Sequence, residues 1–372
     1  MSTRTSTASS PRAAFDPSGT IEGALTAARG LVASGARSLQ IFAAVGNGWD
    51  ASAFDPAFAD LGAPCFGGIF PSVLFGGRSF ERGTAIVGHA VAGQIEVLRF
   101  DALEADVSRL EALEAASTLF VYFDATGASG ELVTALYESL GTGRAWIGGG
   151  AGALDFVRRP VVITPSGLEA GVAVVAGFAD PARLGVAHGW EAIGEPLQVT
   201  ASEGNDLTEL QWRAAFDVYR EAVEAHSGKR FADHEFFSLA KVYPLLLDRL
   251  GGEGVVRDPL EALPGGALRC AGDIPPHTTV RIATGTPEGM LRAAVEAREQ
   301  ASSGGVPEAG VAVTIDCISR ALVLGDRHVE ELAALEVPGL PQVGALTLGE
   351  VASSRKHFLQ LHNKTTVLAL LG

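Results

Sequence analysis

The chain has 372 residues, 47% hydrophobic and 19% charged, with a formal net charge of −15 at pH 7. That length corresponds to two or three domains, or two packed closely together, and the composition supplies an ample core, which excludes a disordered or fibrous chain. Phosphate backbones and anionic membrane surfaces reward clustered Lys and Arg, so neither nucleic acid nor a membrane is an expected partner. No uncharged apolar run reaches the roughly 18 residues that a bilayer span needs. Residues 1–12, MSTRTSTASSPR, lack the apolar centre of a secretory signal. They read as a flexible tail that, with a first helix, occupies 1–34. Cys65, Cys270 and Cys317 are widely spaced without a C-x-x-C pair, against a disulfide framework and a structural zinc site. The expectation is a cytoplasmic protein.

Three stretches repeat one order of elements. The first runs from the apolar strand 39–45 (LQIFAAV) through a short helical pattern at 54–62. It continues with CFGGIF (65–70), the polar GGRSFERG, and a strand at 84–90. The second has a strand at 118–124 and a helix at 128–141 with Ser129 as its cap. WIGGGAG (146–152), a turn around 164–167 and a strand at 171–177 follow. The third has strands at 310–317, 343–351 and 365–371, with a helix at 327–335 whose Glu330 and Glu331 read as a solvated face. The intervals from the end of the first strand to the glycine cluster are similar: Val45 to Gly67, Asp124 to Gly148, and Cys317 to Gly344. Between the second and third units lie helical patterns at 209–226 and 232–241, then short strands separated by Gly and Pro. A helix at 287–302 follows, with Thr286 as N-cap and Pro287 at the first helical position. The fold class is therefore α/β: mixed β-sheets covered by helices, built from repeated β-α-β-β type units in two intimately packed halves. Their boundary is expected between 190 and 205.

Catalytic signatures are absent from the sequence. There is no G-x-x-x-x-G-K-[ST], and the glycine run at 148–152 has the wrong spacing for G-x-G-x-x-G. It reads as a tight turn allowing close backbone approach. Neither G-x-S-x-G nor H-E-x-x-H occurs, and His357 and His362 are expected on opposite faces of a strand. A catalytic role for Cys317 requires a base and a positive field near it. Arg320 beside it is either a bidentate carboxylate binder or half of an internal ion pair.

The strings HGWEAIGEPLQVTASEGNDLTEL (188–210), KVYPLLLDR and GEGVVRDPL within 241–260, GGALRCAGDIPPHTTVRIATGTPEGML (265–291), DCISRALVLG (316–325), and VGALTLGEV with LHNKTTVLALL (343–371) resemble the FIST family of sensory domains. IGGGAG (147–152) and GVAVVAG (171–177) resemble the close of that family's N-terminal half. The resemblance implies a FIST N-terminal half at 35–195 and a C-terminal half at 196–372. It further implies a bacterial, non-catalytic module that binds a small ligand, amino acids being the usual suggestion, and signals through a separate protein. By position it places the pocket at Gly149, Gly150, Cys317, Arg320, Gly349, Glu350 and Asn363. Arg, Glu and Asn together suit a zwitterion's carboxylate and ammonium. Some family members are haem-based nitric oxide sensors that regulate a histidine kinase. On that alternative haem b would need an axial histidine, with His188 and His89 the candidates. An uncharacterised enzyme using Cys317 is the alternative of another class. No cofactor is expected on the first reading.

Overall fold

The computed structural model describes residues 12–127, 129–248, 254–353 and 359–372. Among these, strands form three six-stranded sheets and one seven-stranded sheet, with helices on the outside. The three six-stranded sheets are built alike. In the first, Ser38–Ala44 runs parallel to Cys65–Phe70 and antiparallel to Thr84–His89. The second repeats this with Thr118–Asp124, Ala145–Ala151 and Val172–Phe178, and the third with Val311–Cys317, Gln342–Thr347 and Thr366–Leu371. All nine are apolar runs buried on both faces, as strands covered on both sides must be.

One register ties the three units together. Ile41 pairs with Gly67, Val121 with Gly148, and Thr314 with Gly344. A Cβ on these glycines would lie 2.0 Å from the Ile41 carbonyl oxygen, 1.7 Å from that of Val121 and 1.7 Å from that of Thr314. Each unit thus needs glycine at the same place, where neighbouring backbones approach too closely for any side chain. The similar sequence intervals to Gly67, Gly148 and Gly344 record this shared requirement.

After its second strand each unit sends a hairpin to another unit's sheet. The hairpin Ser72–Phe75/Arg78–Phe80 pairs with Gln342–Thr347, Val162–Thr164/Gly167–Glu169 with Cys65–Phe70, and Glu350–Ser353/Gln360–His362 with Ala145–Ala151. The polar stretch GGRSFERG therefore includes the turn and return strand of an exchanged hairpin. This cyclic exchange interlocks residues from both ends of the chain. An additional strand borders each sheet: Arg12–Asp16, Gln94–Arg99 and Arg183–Ala187. The first of these corrects the expected tail: from Arg12 onward the chain is sheet, followed by the helix Ile21–Ala33 capped by Thr20. Residues 1–11 and His357 lie outside the described residues.

The fourth sheet is inserted between Ala187 and the helix Pro287–Ser302. Strands 191–203, 279–284, 245–247, 255–262, 268–271 and 206–210 pair in that order, and the last pairs back to the first, closing an antiparallel barrel. Leu207, Leu245, Leu268, Cys270, Val280 and Ile282 fill it, and Ala215–Ser227 packs Val218, Tyr219 and Val223 against them. The helix expected at 209–226 starts later, because Gln211 and Trp212 turn the chain with φ of 52° and 58°. A second helix, Ile318–Leu324, precedes His328–Ala334. Ser129, expected as a cap, is the first residue of its helix.

Candidate functional site

Where the barrel meets the three-sheet body, buried polar side chains converge from several parts of the chain. The strand Val311–Cys317 ends in Asp316 and Cys317, and the following helix presents Ser319 and Arg320. Gln342–Thr347 ends at a turn through Leu348 and Gly349, whose φ of 92° lets the chain reverse into Glu350. This turn lies against the second unit's glycines: Leu348 N–H donates to Gly150 O at 3.0 Å, Gly150 N–H to Gly349 O at 2.9 Å, and Glu350 pairs with Gly149. A Cβ on Gly149 would lie 2.6 Å from Gly349 O, so the close approach needs glycine. Asn363 and Lys364 connect the last two strands, Lys364 at a φ of 52° that non-glycine residues rarely adopt. His188 and Trp190 arrive on the link into the barrel, and Asp258 on a barrel strand. Six expected site residues (Gly149, Gly150, Cys317, Gly349, Glu350 and Asn363) thus share one region, and Arg320 joins it through Lys364.

Glu350 is fully buried, accepts from Thr347 Oγ1 at 2.9 Å and Thr365 N–H at 3.3 Å, and contacts the Cys317 thiol. Burial pushes its carboxyl well above the usual range, favouring the neutral acid. Lys364 Nζ lies 2.9 Å from Asp258 Oδ2, donates to Lys241 O at 2.8 Å and sits 5.2 Å from the Trp190 ring centroid. Ser319 Oγ donates to the same Asp258 oxygen at 3.3 Å. Burial raises the Asp258 carboxyl and Lys364 opposes the rise. Two buried acceptors, Asp258 Oδ1 and Asn363 Oδ1, receive no hydrogen bond.

Three expectations need correction. Arg320 is 0% exposed and uses its guanidinium within the protein. It binds the Glu331 carboxylate and donates to the carbonyls of His188 (2.5 Å), Lys364 (3.2 Å) and Met290 (3.1 Å). No donor remains for a ligand carboxylate; the clamp closes on Glu331. Glu331 is accordingly buried rather than solvated, while Glu330 pairs at the surface with Arg327. Cys317 is buried, and burial pushes its thiol up, opposed by Lys364. A neutral thiol is a poor nucleophile, so this burial counts against the Cys317 enzyme reading.

The haem candidates separate in space. His89 Nε2 lies 3.1 Å from Gln40 Oε1, and its ring packs against Phe178, Phe66 and Phe120 at 4.3, 5.7 and 5.8 Å. Burial lowers its pKa to about 3. His188 accepts from Trp190 N–H through Nδ1 at 2.9 Å and is backbone-bonded with Gly254; burial lowers its pKa to about 4.

Sequence reading missed Lys364, Asp258, Trp190 and Ser319. The available signal was a charge inside an apolar run, as in GVVRDPL, and a lysine in a chain nearly devoid of them, in LHNKTT. Among the described residues no helix is long and apolar enough to cross a membrane. A FIST N domain profile matches residues 37–213 and a FIST C domain profile matches 215–353. No curated protein shows significant similarity to the chain.

Proposed function

Because the chain belongs to the FIST family, whose domains are small-ligand sensory domains in signal transduction, we propose that it is a non-catalytic sensor binding a small polar ligand where the barrel meets the sheets. The observation carrying this reading is Asn363 beside the Gly349 turn, whose buried Oδ1 receives no hydrogen bond. A buried acceptor left open costs about 1–3 kcal/mol, so a ligand that donates to it binds with that cost removed. The ammonium of an amino acid supplies such donors beside a carboxylate. Binding would shift the barrel relative to the sheets and alter a surface read by a separate partner, for which a histidine kinase is the expected class.

A thermal-shift screen of amino acids and small amines tests this. At 100-fold excess over Kd, a ligand stabilises by about 2.7 kcal/mol, about 3–4 °C in a chain of this length. Asn363→Ala should lose most of that shift. Absence of any stabilising compound, or an undiminished shift in Asn363→Ala, counts against the site.

A further inference from the structure

A second cluster lies behind Arg320, outside the proposed ligand contacts. We propose that Asp316, His328 and Glu331 form a binding site for one divalent transition-metal ion, with zinc the ion it suits best. One ligand atom from each lies within 4.8 Å of the other two, and all three residues are buried. The oxygen assignments give the cluster its direction. Arg320 binds Glu331 Oε1 and lies 3.4 Å from Asp316 Oδ1. The other carboxylate oxygens face one imidazole nitrogen: Asp316 Oδ2 is 3.2 Å and Glu331 Oε2 3.9 Å from His328 Nε2. Glu331 Oε2 receives no hydrogen bond although its side chain is fully buried.

Zinc bonds of about 2.0–2.2 Å in a tetrahedron place ligand atoms about 3.4 Å apart. The observed 3.2 and 3.9 Å bracket that spacing. Arg320 then takes the outer-shell role of gripping the carboxylate oxygens turned away from the ion. With both acids ionised and His328 neutral, two carboxylates against one guanidinium leave a buried net charge of −1, which either a proton or a cation would balance. One imidazole and two carboxylates suit zinc better than calcium, which takes six to eight oxygens. His328 is 6% exposed and the two acids 0%, so an ion enters at the imidazole edge.

The test uses the untagged full chain, stripped with a chelator, desalted and titrated calorimetrically with zinc chloride. One equivalent should bind and survive gel filtration. His328→Gln, which keeps a hydrogen-bond donor toward Asp316, should weaken binding at least about 100-fold. X-ray absorption on the zinc-loaded wild-type chain should show an imidazole among oxygen neighbours, a readout independent of any variant's folding. Failure of the wild type to retain zinc would overturn the proposal and leave a proton on His328 as the balancing charge. Equal retention by His328→Gln, or sulfur in the first shell, would also overturn it.

Discussion

Replacing Arg320 with alanine should be among the most damaging single changes in this chain. The guanidinium is fully buried, pairs with Glu331 and Asp316, and binds three carbonyls contributed by different elements. Removing one partner of a buried ion pair costs about 3–5 kcal/mol, because the remaining charge stays desolvated. Unfolding entropy of about 2.1 cal/mol/K per residue scales to about 0.8 kcal/mol/K here, so the melting midpoint should fall by about 4–6 °C. Arg327 is the internal control. It pairs with Glu288 and Glu330 at the surface, and Arg327→Ala should leave the midpoint within error of wild type. Differential scanning calorimetry of both variants makes the comparison. Combining Arg320→Ala with Glu331→Gln should cost less than the sum of the single changes, since the stranded carboxylate is gone. An Arg320→Ala midpoint within 1 °C of wild type would refute the assignment of Arg320 as an internal hub.

Glycine substitutions separate close approach from mere conformational freedom. Gly148→Ala forces a Cβ to 1.7 Å from Val121 O and should yield insoluble protein, whereas Gly30→Ala, in a helix with nothing within 4 Å, should stabilise by about 0.5–1 kcal/mol in urea titrations. His89 has its folded pKa lowered to about 3, so its contribution is present above the unfolded value near 6.5 and is lost as pH falls toward 3. Between pH 7.5 and 5.0, wild type should therefore lose about 2 kcal/mol more stability than His89→Gln; parallel losses would show that His89 is not buried neutral. Cys65, Cys270 and Cys317 are all buried with raised thiol pKa values, that of Cys65 at about 12. Iodoacetamide at pH 7.5 should label none of them within minutes in the native chain and all three in denaturant, as mass spectrometry would show. Rapid native labelling of Cys317 would reopen a reactive-thiol role.

The repeat was legible because backbone geometry leaves a mark in composition. A parallel pair buried on both faces reads as an apolar run, and a close approach reads as glycine, so 39–45, 118–124 and 310–317 stood out with Gly67, Gly148 and Gly344. The partners of the hairpins were not legible. Residues 72–75 and 342–347 pair across about 270 positions, and nothing local in either says which sheet receives it. The barrel was obscured because two of its strands, 191–203 and 255–262, carry register shifts and two others, 245–247 and 268–271, are short. In the candidate site, Gly349 and Asn363 lie in strand-end turns as read, whereas the glycine run read as a tight turn at 148–152 lies mostly within the strand Ala145–Ala151. Arg320 was read as either a ligand-carboxylate binder or half of an internal ion pair; the structure shows the ion pair, with Glu331, 11 residues downstream on a helix whose pattern looked solvated. Amphipathic spacing cannot show that a nominally polar position is buried by a neighbouring element. Asp258 and Lys364 form an ion pair from distant segments for the same reason.

The most direct test of the sensory reading is native mass spectrometry of the purified full chain, with Asn363→Ala alongside. The account predicts that wild type carries or takes up one small polar molecule of amino-acid or amine character, and that Asn363→Ala does not retain it under the same conditions. A chain that stays at its apo mass across the metabolite screen, or an adduct retained equally by both proteins, would contradict it.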